Sequence, residues 1–176
     1  TLVLSAAGFV GITQWEAFRG VAYNDGVGTT TIGFGTTAGV KPGDKTTVER
    51  ALVAALADAN RHGDAVKRCV KAPLYQHEFD AYTSLAYNIG QTAFCSSTLV
   101  KRANVGDYAG ACTEISRWTK AGGKELRGLV KRRAAERALC EQKSLEEDIE
   151  TSQVPEKAPQ EPTTWEKIKN FFGGAK

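Results

Sequence analysis

Three residues near the N-terminus have the types and spacing for paired-carboxylate chemistry. Glu16 follows an apolar stretch, Asp25 comes nine positions later in a glycine-rich turn, and Thr31 lies six positions further on, inside a β-prone run. Cleaving a glycosidic bond needs two carboxyl groups in unlike surroundings. One donates a proton to the leaving oxygen; the other stays ionised to activate water or stabilise positive charge. Taken singly, each residue has a plainer reading: a solvated helix-end charge, the Asp of an Asn-Asp-Gly turn, a strand threonine. Together, and with Tyr23 and the Thr31-Ile32-Gly33-Phe34-Gly35 run in order, they point to chemistry.

These residues need elements to hold them. Ser5 can cap a helix running to about Phe18, with Ala6, Phe9, Val10 and Thr13 on one face and Gly20 as its stop. Over 21–36, β-branched and aromatic residues alternate with glycines, the pattern of a small hairpin or three-stranded sheet. Lys41-Pro42-Gly43-Asp44 is a turn. Thr46 to Glu49 forms a capping box for a helix to about Arg61, its apolar side carrying Leu52, Ala55, Leu56 and Ala59. A helix over 75–89 presents Phe79, Tyr82, Leu85 and Ala86, and Gly90 ends it. Shorter helices are predicted at about 96–104, 106–119 and 125–142.

The 176 residues suffice for one domain or two small lobes with a real core. Charge is unevenly spread. Residues 144–176 hold four Lys and seven acids, leaving 19 basic and 13 acidic residues in 1–143. A basic body suits an anionic partner. From Ser144 the prolines and acids read as an extended linker over 144–162. Over 163–176 another capping box precedes Trp165, Ile168, Phe171 and Phe172, a short amphipathic helix with a mildly basic charge suited to an anionic bilayer surface. Leu2 to Ile12 is apolar but shorter than the roughly 20 residues a membrane span needs. It reads as a first core helix or as the tail of a longer apolar segment. His62 and His77 are not spaced with the cysteines as zinc ligands, and Gly122-Gly123-Lys124 lacks the frame of a phosphate-binding loop, so no metal or cofactor is expected.

The Glu-x8-Asp-x5-Thr spacing resembles the signature of phage-type lysozymes, the endolysins of glycoside hydrolase family 24. The resemblance spans roughly residues 4–142. It includes Tyr87-Asn88-Ile89-Gly90, the Phe94–Leu99 run, Arg117-Trp118 and the basic run from Gly128 to Glu136. It implies an α+β, lysozyme-like fold over 1–143, with a small N-terminal β-lobe, a larger helical lobe and the cleft between them. The implied activity is inverting hydrolysis of the β-1,4 bond between N-acetylmuramic acid and N-acetylglucosamine in peptidoglycan, for host lysis. Glu16 would be the general acid, Asp25 would deprotonate the water or steady the cationic centre, and Thr31 would hold the water. Tyr87, Asn88 and Ser97 would be substrate-binding residues.

Trp15 and Phe18 flank Glu16 and could desolvate it, which would favour its protonated form; an Arg of 127–133 could pair with it. The sequence departs from many relatives at Ala17, where they have Gly, and at Thr36, where they have His. The run Lys124–Arg133 reads as a solvated helix face beside an anionic wall polymer, and no nucleic-acid partner is expected. His62 and His77 read as surface or satisfied histidines. The chain would act as an exported monomer in the periplasm or cell wall, with possible membrane contact through the 163–176 helix. Some relatives begin with a signal-anchor-release segment, and Leu2–Ile12 resembles the end of one. Export suggests two disulfides among Cys69, Cys95, Cys112 and Cys140; four reduced thiols in a cytosolic protein is the alternative. Nearest-in-sequence pairing is one of three arrangements. The rival function is a catalytically weak wall-binding or virion-associated protein of the same fold.

Overall fold

A computed structural model of the protein describes residues 2–24 and 28–142. Asp25 and the whole segment from 143, where the linker and amphipathic helix are expected, lie outside the described residues. The first helix, α1 (Ala6–Gln14), starts as predicted, with the Ser5 hydroxyl accepting from the Gly8 N–H. It ends four residues sooner than predicted, and its buried positions are Gly8 and Ile12, not Ala6 and Val10. The reason lies beneath it. The buried Asp80 carboxylate accepts from the Ser5 N–H at 3.0 Å, the Ser5 hydroxyl at 2.6 Å and Gln76 Nε2 at 2.9 Å. A Cβ on Gly8 would lie 2.7 Å from Asp80 Cγ, so only glycine lets the helix settle this close.

Gly20 lies inside a strand and does not stop the helix. Strands β1 (Arg19–Asn24) and β2 (Thr30–Gly33) form an antiparallel hairpin in which Tyr23 faces Thr31, with an irregularity between Arg19 and Tyr23. Gly33 has φ +66°, and a Cβ there would meet Ala51 Cβ at 2.8 Å. Two requirements thus fix glycine where the sheet rests on the next helix. The 41–44 turn forms, with the Lys41 N–H donating to Asp44 Oδ2 at 2.8 Å.

Helix α2 (Val48–Cys69) is capped by Thr47, one residue after the predicted cap, and continues well past Arg61. Its buried stripe is Ala51, Ala55, Ala59, Gly63 and Val66; Leu56 is exposed. Small residues on that stripe allow close approach to α3 (Gln76–Ile89), whose Phe79, Tyr82, Leu85 and Ala86 are buried as predicted. Gly90, at φ +87°, ends it. The chain then adds α4 (Gln91–Ser96), α5 (Thr98–Asn104) and α6 (Tyr108–Glu114), and a 3-10 turn over Ile115–Arg117. A two-residue hairpin follows, β3 (Lys120–Ala121) and β4 (Lys124–Glu125), then α7 (Arg127–Cys140). The core centres on α3, joined by Phe94, Leu99, Ala111 and Ile115. All four cysteines are paired, Cys69 with Cys95 and Cys112 with Cys140, with Cα–Cα distances of 5.4 and 5.6 Å. Each bond joins the end of a long helix to a short one. Among the described residues no helix is long and apolar enough to cross a membrane.

Candidate active site

Glu16 leaves the end of α1, its N–H donating to the Thr13 carbonyl at 3.2 Å. Its side chain is 23% exposed. Trp15 and Phe18 are each more than a third exposed. Its surroundings come from distant parts of the chain. Arg132 Nη1 donates to Glu16 Oε1 at 2.8 Å. Gly35, at φ +92°, brings bare backbone to it: a Cβ there would lie 3.6 Å from Glu16 Oε2 and 3.8 Å from the Tyr87 hydroxyl.

The basic run is solvated at Lys124, Arg127 and Lys131, as expected, but not at its end. Arg132, Arg133 and Glu136 are all buried, on the side of α7 that meets α3. A guanidinium leaves water only if its charge is matched and its donors are used. Arg132 Nε donates to Glu136 Oε1 at 3.0 Å and Arg133 Nη2 donates to the same oxygen at 3.1 Å. The Ser84 hydroxyl donates there too, at 2.7 Å. Arg133 Nε stands 2.9 Å from Glu136 Oε2 but out of line for a hydrogen bond, an ionic contact only. Burial pulls Arg133 down to about 10, while Glu136 pulls it up; it stays charged at neutral pH. Arg133 Nη2 also donates to Asn88 Oδ1 at 3.1 Å.

Tyr87 links this network to the sheet. Its hydroxyl donates to the Phe34 carbonyl at 2.8 Å. Burial first, then the charge of Glu16, pushes its phenol up to about 12, so it remains a neutral donor at working pH. A cavity of about 370 Å³ opens beside it, lined by Gly35, Thr37, Asp58, His62, Asn88 and Gly90 among others. His62, expected as a surface or satisfied histidine, is half-buried and forms a wall of that cavity. Its ring centroid is 5.4 Å from that of Tyr87, and burial, aided by Arg61, lowers its affinity for a proton.

The structure therefore brings Glu16, Tyr87 and Asn88 to one place. Thr31 is buried on β2, its hydroxyl donating weakly to the Thr29 carbonyl at 3.4 Å. Ser97 does not line the Tyr87 cavity. It caps α5 through the Val100 N–H and borders a separate cavity with Glu114, Arg117 and Trp118. Sequence reasoning missed His62, Gly35 and Glu136. The last had a usable signal, because Arg132 and Arg133 precede it by four and three residues, the spacings at which helix side chains meet. Among the described residues no group of three acids, histidines or cysteines is placed to hold a metal.

The phage lysozyme family model matches residues 13–136, from the helix before Glu16 to Glu136 itself. The chain belongs to the phage lysozyme family. An endolysin of Acyrthosiphon pisum secondary endosymbiont phage 1 is 43% identical over 142 residues, covering 78% of this chain and 97% of that one. A SAR-endolysin of Pseudomonas phage phiKMV is 37% identical over 139 residues, covering 77% and 86%. The muramidase domain of SpmX from Asticaccaulis excentricus superposes with a TM-score of 0.76 at 32% identity, over 81% of this chain and all of that one. The lysozyme-like α+β fold and the function of a muramidase endolysin follow from these matches, with peptidoglycan as the substrate class.

Proposed function

We propose that the chain hydrolyses the β-1,4 bond between N-acetylmuramic acid and N-acetylglucosamine by a single displacement that inverts the anomeric centre. Glu16 gives its proton to the glycosidic oxygen as the C1–O bond breaks. A water held by Thr31 attacks C1 from the opposite face, and Asp25 receives its proton. The sugar hydroxyls gain one water in total, and the enzyme is restored by moving a proton from Asp25 back to Glu16 through solvent. The observation that carries this reading is Glu16 itself: a partly buried carboxyl, gripped by Arg132 at 2.8 Å, beside Gly35, which together with Tyr87 lines a polar cavity. Tyr87 and Asn88 would meet the sugar from α3; Ser97 would contact a more distant part of the polymer.

The deciding experiment is Glu16→Gln assayed by turbidity on permeabilised Gram-negative cells and on soluble peptidoglycan fragments. Loss of at least 10²-fold with an unchanged melting temperature is expected of an acid–base group. Near-normal turnover would refute the assignment. Proton NMR of fresh product gives the anomer, and a first-formed β-anomer would exclude inversion. Action on the far side of the host membrane, as a monomer and without nucleic acid, belongs to the same proposal. The two paired cysteines support it, because such bonds persist in oxidising compartments. Contact of residues 163–176 with an anionic bilayer is tested by vesicle binding of the chain truncated after Lys143.

A further inference from the structure

The proposed acid has an awkward neighbour. Glu16 must hand a proton to the glycosidic oxygen, and one of its carboxyl oxygens is held by a single guanidinium. Glu16 faces Arg132 and, at longer range, Arg133 from α7, with Tyr87 from α3 beside it and Arg61 and His62 of α2 around Tyr87. Tyr87 is neutral and Arg61 is paired with Asp58 in the wall of the same cavity, which leaves Arg132 and Arg133 as the cations to be matched beside Glu16. The one buried carboxylate bonded to the same guanidinium as Glu16 is Glu136. One of its oxygens collects Arg132, Arg133 and Ser84, and the other lies against Arg133.

We propose that Glu136 is a positioning residue for the reaction: it fixes the Arg132 guanidinium against Glu16 and offsets its charge there. Arg132 divides its donors between two carboxyls, Nε to Glu136 and Nη1 to Glu16. The guanidinium is planar and rigid, so anchoring one edge sets the direction of the other. Glu136 touches no substrate; it acts through Arg132. Its burial shows that water does not screen this pair, so its charge is felt at Glu16 more strongly than a surface charge would be.

The inference rests on Glu16 being the acid, and the test separates the two. Glu136→Gln and Glu136→Asp are made in the full chain, and kcat/KM on soluble peptidoglycan fragments is followed against pH. With Glu136→Gln, Arg132 is no longer offset. The alkaline limb of the profile then moves down by about one pH unit, the size of a near-charge effect, while the low-pH plateau is largely kept. At pH values above the limb this reads as about tenfold lower kcat/KM. Glu136→Asp keeps the charge but draws it back by a methylene, so the limb moves the same way and less. Either variant decides alone if the other does not accumulate as folded protein. A fall of equal size at every pH, with the limb unmoved, would show a purely structural role and overturn the inference. If Glu16→Gln retains turnover, the reading of Glu16 fails instead, whatever the Glu136 variants do.

Discussion

Asp80→Ala should loosen the segment that carries Glu16. Asp80 is buried and accepts three hydrogen bonds, two from Ser5 and one from Gln76. A hydrogen bond to a charged group contributes about 1.5–3 kcal/mol, less the cost of keeping that charge out of water. Ser5 and Gln76 are part-exposed and would recover water, so the net loss should be about 3 kcal/mol, below the roughly 4.5 kcal/mol at the low end of the three summed bonds because the desolvation cost of the charge is also removed. For a body of this size that is a drop of about 6–12 °C in Tm. Activity should fall by more than stability explains, because Glu16 follows α1 directly and Arg132 cannot follow it outward. Asp80→Asn keeps the shape and one acceptor and should cost about 1 kcal/mol. Differential scanning calorimetry gives the first quantity, and kcat/KM well below Tm gives the second. A Tm change under 2 °C for Asp80→Ala with normal kcat/KM would show that α1 holds its place without this carboxylate, and the account of its docking would be wrong.

Gly35→Ala forces an L-residue to φ +92° and sets a methyl beside Glu16; it should cost about 1–2 kcal/mol and lower kcat/KM at least tenfold, read by urea melts and initial rates. Each disulfide closes a loop, with sequence separations of 26 and 28 residues, so its removal by Cys→Ser pairs should cost about 3.5 kcal/mol on the chain-entropy account, without abolishing activity at 20 °C. Tyr87 favours its neutral form in the fold, so its contribution is complete below the unfolded phenol value of about 10 and lost as pH rises through about 12. The difference in 295 nm absorbance between wild type and Tyr87→Phe should therefore appear only near pH 12; a step near pH 10 would contradict its burial. His62 is held neutral, so the unfolded chain binds its proton first as pH falls, and stability is lost below the unfolded imidazole value of about 6.5. His62→Gln should flatten stability between pH 7 and pH 5 in denaturant titrations.

Helix α3 was legible because its apolar residues recur with one helical period and a glycine follows them. The buried face of α1 was not. A periodicity reading ranks Val10 above Gly8, but Asp80 needs a partner without a side chain, and that demand comes from a residue far along the chain. Helix α4 was missed because Gln91–Ser96 is too short for a period to emerge. The β3–β4 hairpin has two residues per strand, and its turn glycines, both at positive φ, were the only local sign. At the site, Glu16 was picked out by its spacing to Asp25 and Thr31 and Tyr87 by the Tyr87–Gly90 motif, and both lie beside Gly35. An arginine of 127–133 was expected to pair with Glu16 and Arg132 does; the burial of Arg133 and Glu136 was not foreseen, because charges are usually solvated and here the facing Ser84, Asn88 and Glu16 match them.

The Cys112–Cys140 bond has a mechanical consequence. It sits at the last residue of α7, three positions before residue 143. A pull applied to the chain beyond the body reaches this covalent link before any turn of α7 can open. The force passes into α6 and spares Arg132 and Glu136. Unzipping from that end is therefore blocked, and an anchored enzyme could be dragged along a wall without losing the grip on its acid. Traction on the N-terminal side meets no such covalent stop: α1 is held there by hydrogen bonds and by the packing of Leu2, Leu4 and Ile12, so that end is where the molecule would yield.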